Sequence, residues 1–237
     1  MPVGIVTGAS RGLGLALARS LAEDGWSLVI DARGAAALEE ARSGLAGRIR
    51  AGGAVVALQG DVADPEHRLA LVQAARDLGG LDLLVNNASE LGPSPLPALA
   101  DYPLDDLERV LHVNVLAPLA LAQLALPLLR ARRGRIVNVS SDAAVEAYEG
   151  WGGYGSSKAA LEQLTAVMAA EETEVRVYVV DPGDMRTAMH QAAFPGEDIS
   201  DRPPPEASVP GLRRLIDGSE PSGRYRAGDL AAIEAAP

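Results

Sequence analysis

Cysteine is absent from this chain of 237 residues. That excludes a disulfide framework, thiolate chemistry and a thiolate metal site, and no metal is expected. Positive charge is scarce as well. Lys and Arg number 21 against 32 Asp and Glu, a formal net charge of −11, which argues against general nucleic-acid binding and against attachment to an anionic membrane. Any anionic ligand must then be met by local positive charge. No uninterrupted apolar run reaches the ~20 residues of a membrane helix. The first apolar run starts at Val3, leaving no room for a signal peptide, so a cytoplasmic enzyme is expected.

What is present is the balance of a globular protein, 48% hydrophobic and 22% charged, with length enough for one large α/β domain over residues 1–237. The chain is organised around its start. Val3 to Val6 is a short β-branched run that reads as a buried strand. Gly8, Gly12 and Gly14 make a turn, and Leu15 to Ala22 carry helix formers. Such a turn lets backbone N–H groups approach a phosphate, and the next helix adds the positive end of its dipole. A Cβ would block that approach. A dinucleotide phosphate is expected here, although the spacing is G-x-x-x-G-x-G rather than G-x-G-x-x-G.

Further strands are expected at 27–32, 54–59, 81–86, 135–140 and 175–180, with a possible last one at 222–227. Helices are expected at 35–51, 65–78, 155–170, and, in at least two pieces, 101–133, where Pro103, Pro118 and Pro127 are candidate breaks. This alternation predicts a Rossmann-type, doubly wound parallel sheet of about seven strands with helices on both faces. The Pro-rich stretch from Ala192 to Gly211 reads as a loop, and 184–211 as a substrate lid beyond a strand's C-terminal end.

The chemistry is carried by residues far apart. Tyr154 and Lys158 are four apart on a helix and share a face. A free Tyr titrates near ~10, and a neighbouring ammonium is expected to lower it toward the working range. Ser141, at the end of a strand, can hold a carbonyl oxygen while Tyr154 delivers a proton. Tyr148 competes for that role but has Gly152, not a lysine, four residues on. Asn114, in an otherwise apolar helix, needs hydrogen-bond partners and is a candidate for fixing a water that links Lys158 to solvent.

Taken together, Thr7 to Gly14, Asn86-Asn87-Ala88-Ser89, Asn114, Ser141, Tyr154 with Lys158, and Pro182-Gly183 followed by Thr187 resemble the short-chain dehydrogenase/reductase family in order and spacing. The resemblance implies hydride transfer between a nicotinamide and a carbonyl or alcohol carbon. It makes Tyr154 the acid/base, and Ser141 the group that orients the substrate oxygen. Lys158 would bind the nicotinamide ribose and Asn114 hold a proton-relay water. Gly8, Ser10, Arg11, Gly12, Leu13 and Gly14 would hold the phosphates, with Asp61 and Val62 at the adenine. Asn86, Asn87 and Ala88 would line the ribose region, and Pro182, Gly183, Met185 and Thr187 the carboxamide region. Two departures stand out: Ser89 replaces the family's usual glycine, and the C-terminal end is shorter. A homodimer through the two long helices is therefore the first expectation, with the family's common tetramer as the alternative.

Counted from Gly8 against the pattern of the family it resembles, Ala32, not Asp31, falls at the position that decides the cofactor, and Asp31 then points to the other face of its strand. Arg33 follows Ala32, and Arg11 sits in the glycine turn. Two guanidiniums suit a 2′-phosphate, so NADP(H) is expected over NAD(H). The substrate should be a small molecule in a pocket formed by 90–95, 145–151 and 184–205. Leu91, Tyr148, Trp151, Met185, Met189 and Phe194 would make it apolar. Two other readings stay open: a dinucleotide-sensing regulator without turnover, and a cofactor-independent lyase on the same fold.

Overall fold

The computed structural model describes residues 1–49 and 52–234. Seven parallel strands form one sheet: β1 (Val3–Val6), β2 (Ser27–Ala32), β3 (Val55–Gln59), β4 (Leu83–Asn86), β5 (Arg135–Val139), β6 (Arg176–Asp181) and β7 (Gly223–Arg226). Their order is β3-β2-β1-β4-β5-β6-β7. The order reverses between β1 and β4, and the crevice outside the carboxyl ends of these strands is where ligands bind in open α/β sheets.

Side chains alternate across the sheet, so each strand feeds two cores. On one face Val6, Ile30, Leu83, Val137 and Tyr178 pack with α1 (Gly12–Glu23), α2 (Ala35–Ala46), α8 (Val209–Asp217) and α9 (Ala227–Glu234). On the other, Ile5, Val29, Leu84, Ile136 and Val177 meet Leu71 and Ala75 of α3 (Pro65–Asp77) and Leu121, Ala125 and Leu129 of α5 (Ala117–Arg132). α4 (Leu104–Leu111) runs into α5 through a wide π turn, His112–Leu116. The continuous run Leu104–Arg132 is long and apolar enough to cross a membrane by composition alone, and half of its most apolar window is buried within the fold. α6 (Gly152–Glu171) and the short α7 (Ala188–Ala193) complete the set.

Three expectations need correction. Pro127 does not break α5; it is exposed, so the carbonyl it leaves without a donor can meet water. The segment 192–211 is not one loop. α7 precedes it, Pro205–Ser208 forms a 3-10 turn, and α8 begins at Val209. Pro205 and Pro210 lie at helix starts, where a missing N–H costs nothing. α2 ends at Ala46, short of the expected 51, and the last two residues of that expectation, Arg50 and Ala51, lie outside the described residues. So do residues 235–237 of the expected domain.

Candidate active site

The turn after β1 is built for close approach. Gly8 and Gly12 have φ of +64° and +58°, a region that disfavours side chains. A Cβ on Gly8 would meet Ala88 Cα at 2.9 Å, and one on Gly14 would meet Asn87 Nδ2 at 2.5 Å. Asn87 and Ala88 follow β4 and staple the turn down. Thr7 Oγ1 accepts from both of their N–H groups at 3.0 Å, and Asn87 Nδ2 donates to the Thr7 carbonyl at 2.8 Å. α1 begins here at Arg11 with no side-chain cap and no acid in its first turn. α3, by contrast, is capped by Asp64. An uncapped N-terminus framed by glycines offers free N–H donors to an anion.

The other expected cofactor residues gather around this turn. A Cβ on Gly12 would meet Thr187 Cγ2 at 3.7 Å, and Thr187 caps α7 by accepting from the His190 N–H. Gly183 has φ +76° and donates to Asp181, and the Pro182 carbonyl accepts from Ser208 Oγ. Asp61 accepts from the Ala63 N–H, and Val62 packs with Val113, Ala117 and Ala88. Leu13 is in the core and Ser10 half-buried. Ala32 packs on the same core as α1. Asp31 points to the opposite face. Buried there at 1% exposure, it accepts from the Gly8 N–H at 2.7 Å and pairs with His67 Nε2 of α3 at 2.9 Å.

Tyr154 and Lys158 lie on the buried face of α6, 8% and 2% exposed. Lys158 is the only lysine in the chain. Its Nζ donates to the Val139 carbonyl at 2.8 Å and stands 5.4 Å from the centre of the Tyr154 ring. Ser141 lies two residues beyond β5 and caps the turn Asp142–Ala144. A Cβ on Gly155 would meet the Ala143 carbonyl at 2.5 Å, and one on Gly153 would meet the Tyr102 ring at 2.3 Å. Gly153 lets the start of α6 close on Tyr102, and Gly155 lets it press against the Ser141 turn, whose Ala143 packs in one cluster with Tyr154.

The electrostatics depart from expectation. Burial pushes the Tyr154 phenol up to about 12, with Asp142 and Asp181 adding to the rise and a hydrogen bond from Ser89 opposing it. Burial also pulls Lys158 down from 10.5 to about 8, against the carboxylate of Glu162. The expected lowering of the phenol by the ammonium is absent, and desolvation is the largest influence on it. Asn114 is wholly buried. Its amide accepts from Ser89 Oγ and the Glu90 N–H and donates to the Glu90 carbonyl and Ser157 Oγ. These four bonds engage both donors and both lone pairs of the side chain within the fold.

Of the expected pocket residues, Leu91, Trp151, Met189 and Phe194 pack around Tyr154. Trp151 meets the Tyr154 ring edge-on at 5.7 Å. Met185 instead packs on the core beneath α1, and Tyr148 is exposed and hydrogen-bonds Asp142. Sequence reasoning missed Asp142, which accepts the Ser141 hydroxyl at 2.9 Å. It also missed His67, Ser157 and the glycines framing Tyr154. An acid inside the apolar run Leu28-Val29-Ile30-Asp31 was the available signal for a buried partner such as His67.

A family model described as short chain dehydrogenase matches residues 2–198. A 3-oxoacyl-[acyl-carrier-protein] reductase of rhamnolipid biosynthesis from Pseudomonas aeruginosa is 37% identical over 196 residues, 79% of this chain and 74% of that one. A benzil reductase, (S)-benzoin forming, from Saccharomyces cerevisiae is 35% identical over 194 residues, 79% of this chain and 73% of that one. Among solved structures, an alcohol dehydrogenase from Thermococcus sibiricus complexed with 5-hydroxy-NADP superposes with a TM-score of 0.85 at 26% identity, covering 95% of each chain. With this sheet order and the matched residues in register, the chain belongs to the short-chain dehydrogenase/reductase family of oxidoreductases.

Proposed function

We propose that the chain is an NADP(H)-dependent oxidoreductase that interconverts a carbonyl and a secondary alcohol on a small, apolar substrate. The observation that carries this reading is the meeting of Tyr154 and Lys158 on the buried face of α6, beside the Ser141 turn. The residues fit a dinucleotide, because the glycine turn opens an uncapped helix N-terminus and Arg11 and Arg33 supply local positive charge to an acidic protein. When bound, the cofactor supplies or accepts the hydride. Gly8 to Gly14 would hold its phosphates and Arg33 a 2′-phosphate, with Asp61, Val62, Asn87 and Ala88 flanking the adenosine half. Pro182 to Thr187 would hold the nicotinamide end.

In this reading Tyr154 donates its proton to the substrate oxygen during reduction. A phenol held near 12 stays protonated at neutral pH, as a donor must. Lys158, which sheds its proton near 8, is suited to resupplying it. Ser141 orients the substrate oxygen after releasing Asp142. The apolar wall of Leu91, Trp151, Met189 and Phe194 favours an uncharged substrate and keeps water from the reacting atoms. A cytoplasmic homodimer through α5 and α6 is part of the proposal; Leu116, just before α5, and Val167 on α6 are exposed apolar residues.

The test is loss of NADPH absorbance, and separately NADH, across ketones, aldehydes and diketones, with Tyr154→Phe as control. Turnover with NADPH that falls about 10²–10⁴-fold in the variant supports the assignment. Undiminished turnover in Tyr154→Phe refutes it. An Arg33→Ala variant that keeps its NADPH affinity refutes the cofactor preference.

A further inference from the structure

Arg33 follows β2 and Glu90 follows β4, and β1 lies between those strands. Arg33 Nη1 nevertheless reaches Glu90 Oε2 at 3.2 Å. The ion pair therefore crosses the carboxyl end of β1, over the crevice into which the glycine turn opens. Its two ends differ in freedom. The Arg33 side chain is 63% exposed and that of Glu90 18%. Both backbone groups of Glu90 are held by the Asn114 amide at 2.8 Å. Glu90 is a fixed post and Arg33 a movable arm.

We propose that Glu90 is a cofactor-specificity residue whose carboxylate competes with a ribose 2′-phosphate for the Arg33 guanidinium. The inference rests on Arg33 being the phosphate-binding residue. A guanidinium presents the same fork of donors to a carboxylate and to a phosphate, so it cannot serve both fully. A dinucleotide carrying a 2′-phosphate must break the pair and then lie near a half-buried carboxylate of like charge. One with a bare 2′-hydroxyl leaves the pair intact, and Glu90 can accept that hydroxyl. Glu90 thereby narrows the preference that Arg33 creates.

NADPH and NADH are titrated into the wild type, Glu90→Gln, Arg33→Ala and the double variant, reading cofactor fluorescence so that no substrate is needed. Glu90→Gln keeps the side-chain volume and the backbone bonds to Asn114 while removing the charge. Pairs with an exposed partner are weak, so NADPH should tighten by about three- to tenfold and NADH shift by less than about twofold. In the Arg33→Ala background the Glu90→Gln effect should vanish. If NADPH affinity is unchanged in Glu90→Gln, or both cofactors shift equally, this inference is overturned; the reading of Arg33 survives provided Arg33→Ala still weakens NADPH. If Arg33→Ala moves neither cofactor, both fail together.

Discussion

Lys158 Nζ lies 5.4 Å from the centre of the Tyr154 ring and donates at 2.8 Å to the Val139 carbonyl. It is buried at 2% exposure and is the chain's only lysine. Below about pH 8 its ammonium is charged in folded and unfolded chains alike, and the fold bears the full cost of burying it. Between about 8 and 10.5 the folded chain has released a proton that the unfolded chain keeps. Stability from this group therefore rises with pH across that window.

The wild type should accordingly gain thermal stability relative to Lys158→Met between pH 8 and 10. Because no other lysine exists, a lysine-specific isotope label gives one NMR side-chain signal that titrates directly. A midpoint near 10.5 would contradict the buried setting described here.

Asn114→Ala should destabilise the fold by about 2–4 kcal/mol, since it strands the Glu90 N–H and carbonyl and Ser157 Oγ in the interior. Urea unfolding measures this. A loss below about 1 kcal/mol would mean that water replaces the amide at little cost.

Gly155→Ala tests how Ser141 is placed. The new methyl would meet the Ala143 carbonyl at 2.5 Å, so backbone must move. Displacement of reacting groups by ~1 Å can cost about 10²-fold in rate. The expected outcome is a fall in kcat with cofactor affinity retained; an unchanged kcat would detach the Ser141 turn from catalysis.

Asp31→Ala removes the acceptor of the Gly8 N–H and the partner of His67. Stability should drop by about 2–4 kcal/mol, and NADPH binding should weaken because Gly8 loses an anchor at φ +64°. If affinity survives the drop in stability, the pair supports the sheet alone and not the turn.

The βα alternation, the glycine turn and the Tyr154–Lys158 pair were determined by the sequence itself, because strand alternation, backbone freedom at Gly8 and i,i+4 spacing on a helix are local properties. The same locality explains the misreading of 192–211. Its prolines read as loop residues, yet Pro205 and Pro210 begin helical turns, a position that only packing of Leu212 and Leu215 into the core establishes. The direction of the Tyr154 and Lys158 shifts depended on how much water their neighbours exclude. The Asn114 amide was committed by Glu90 and Ser157, and Asp31 by His67. Arg33 met Glu90, 57 residues away. Desolvation and long-range pairing are set by which elements the fold brings together, and only the tertiary structure decided them.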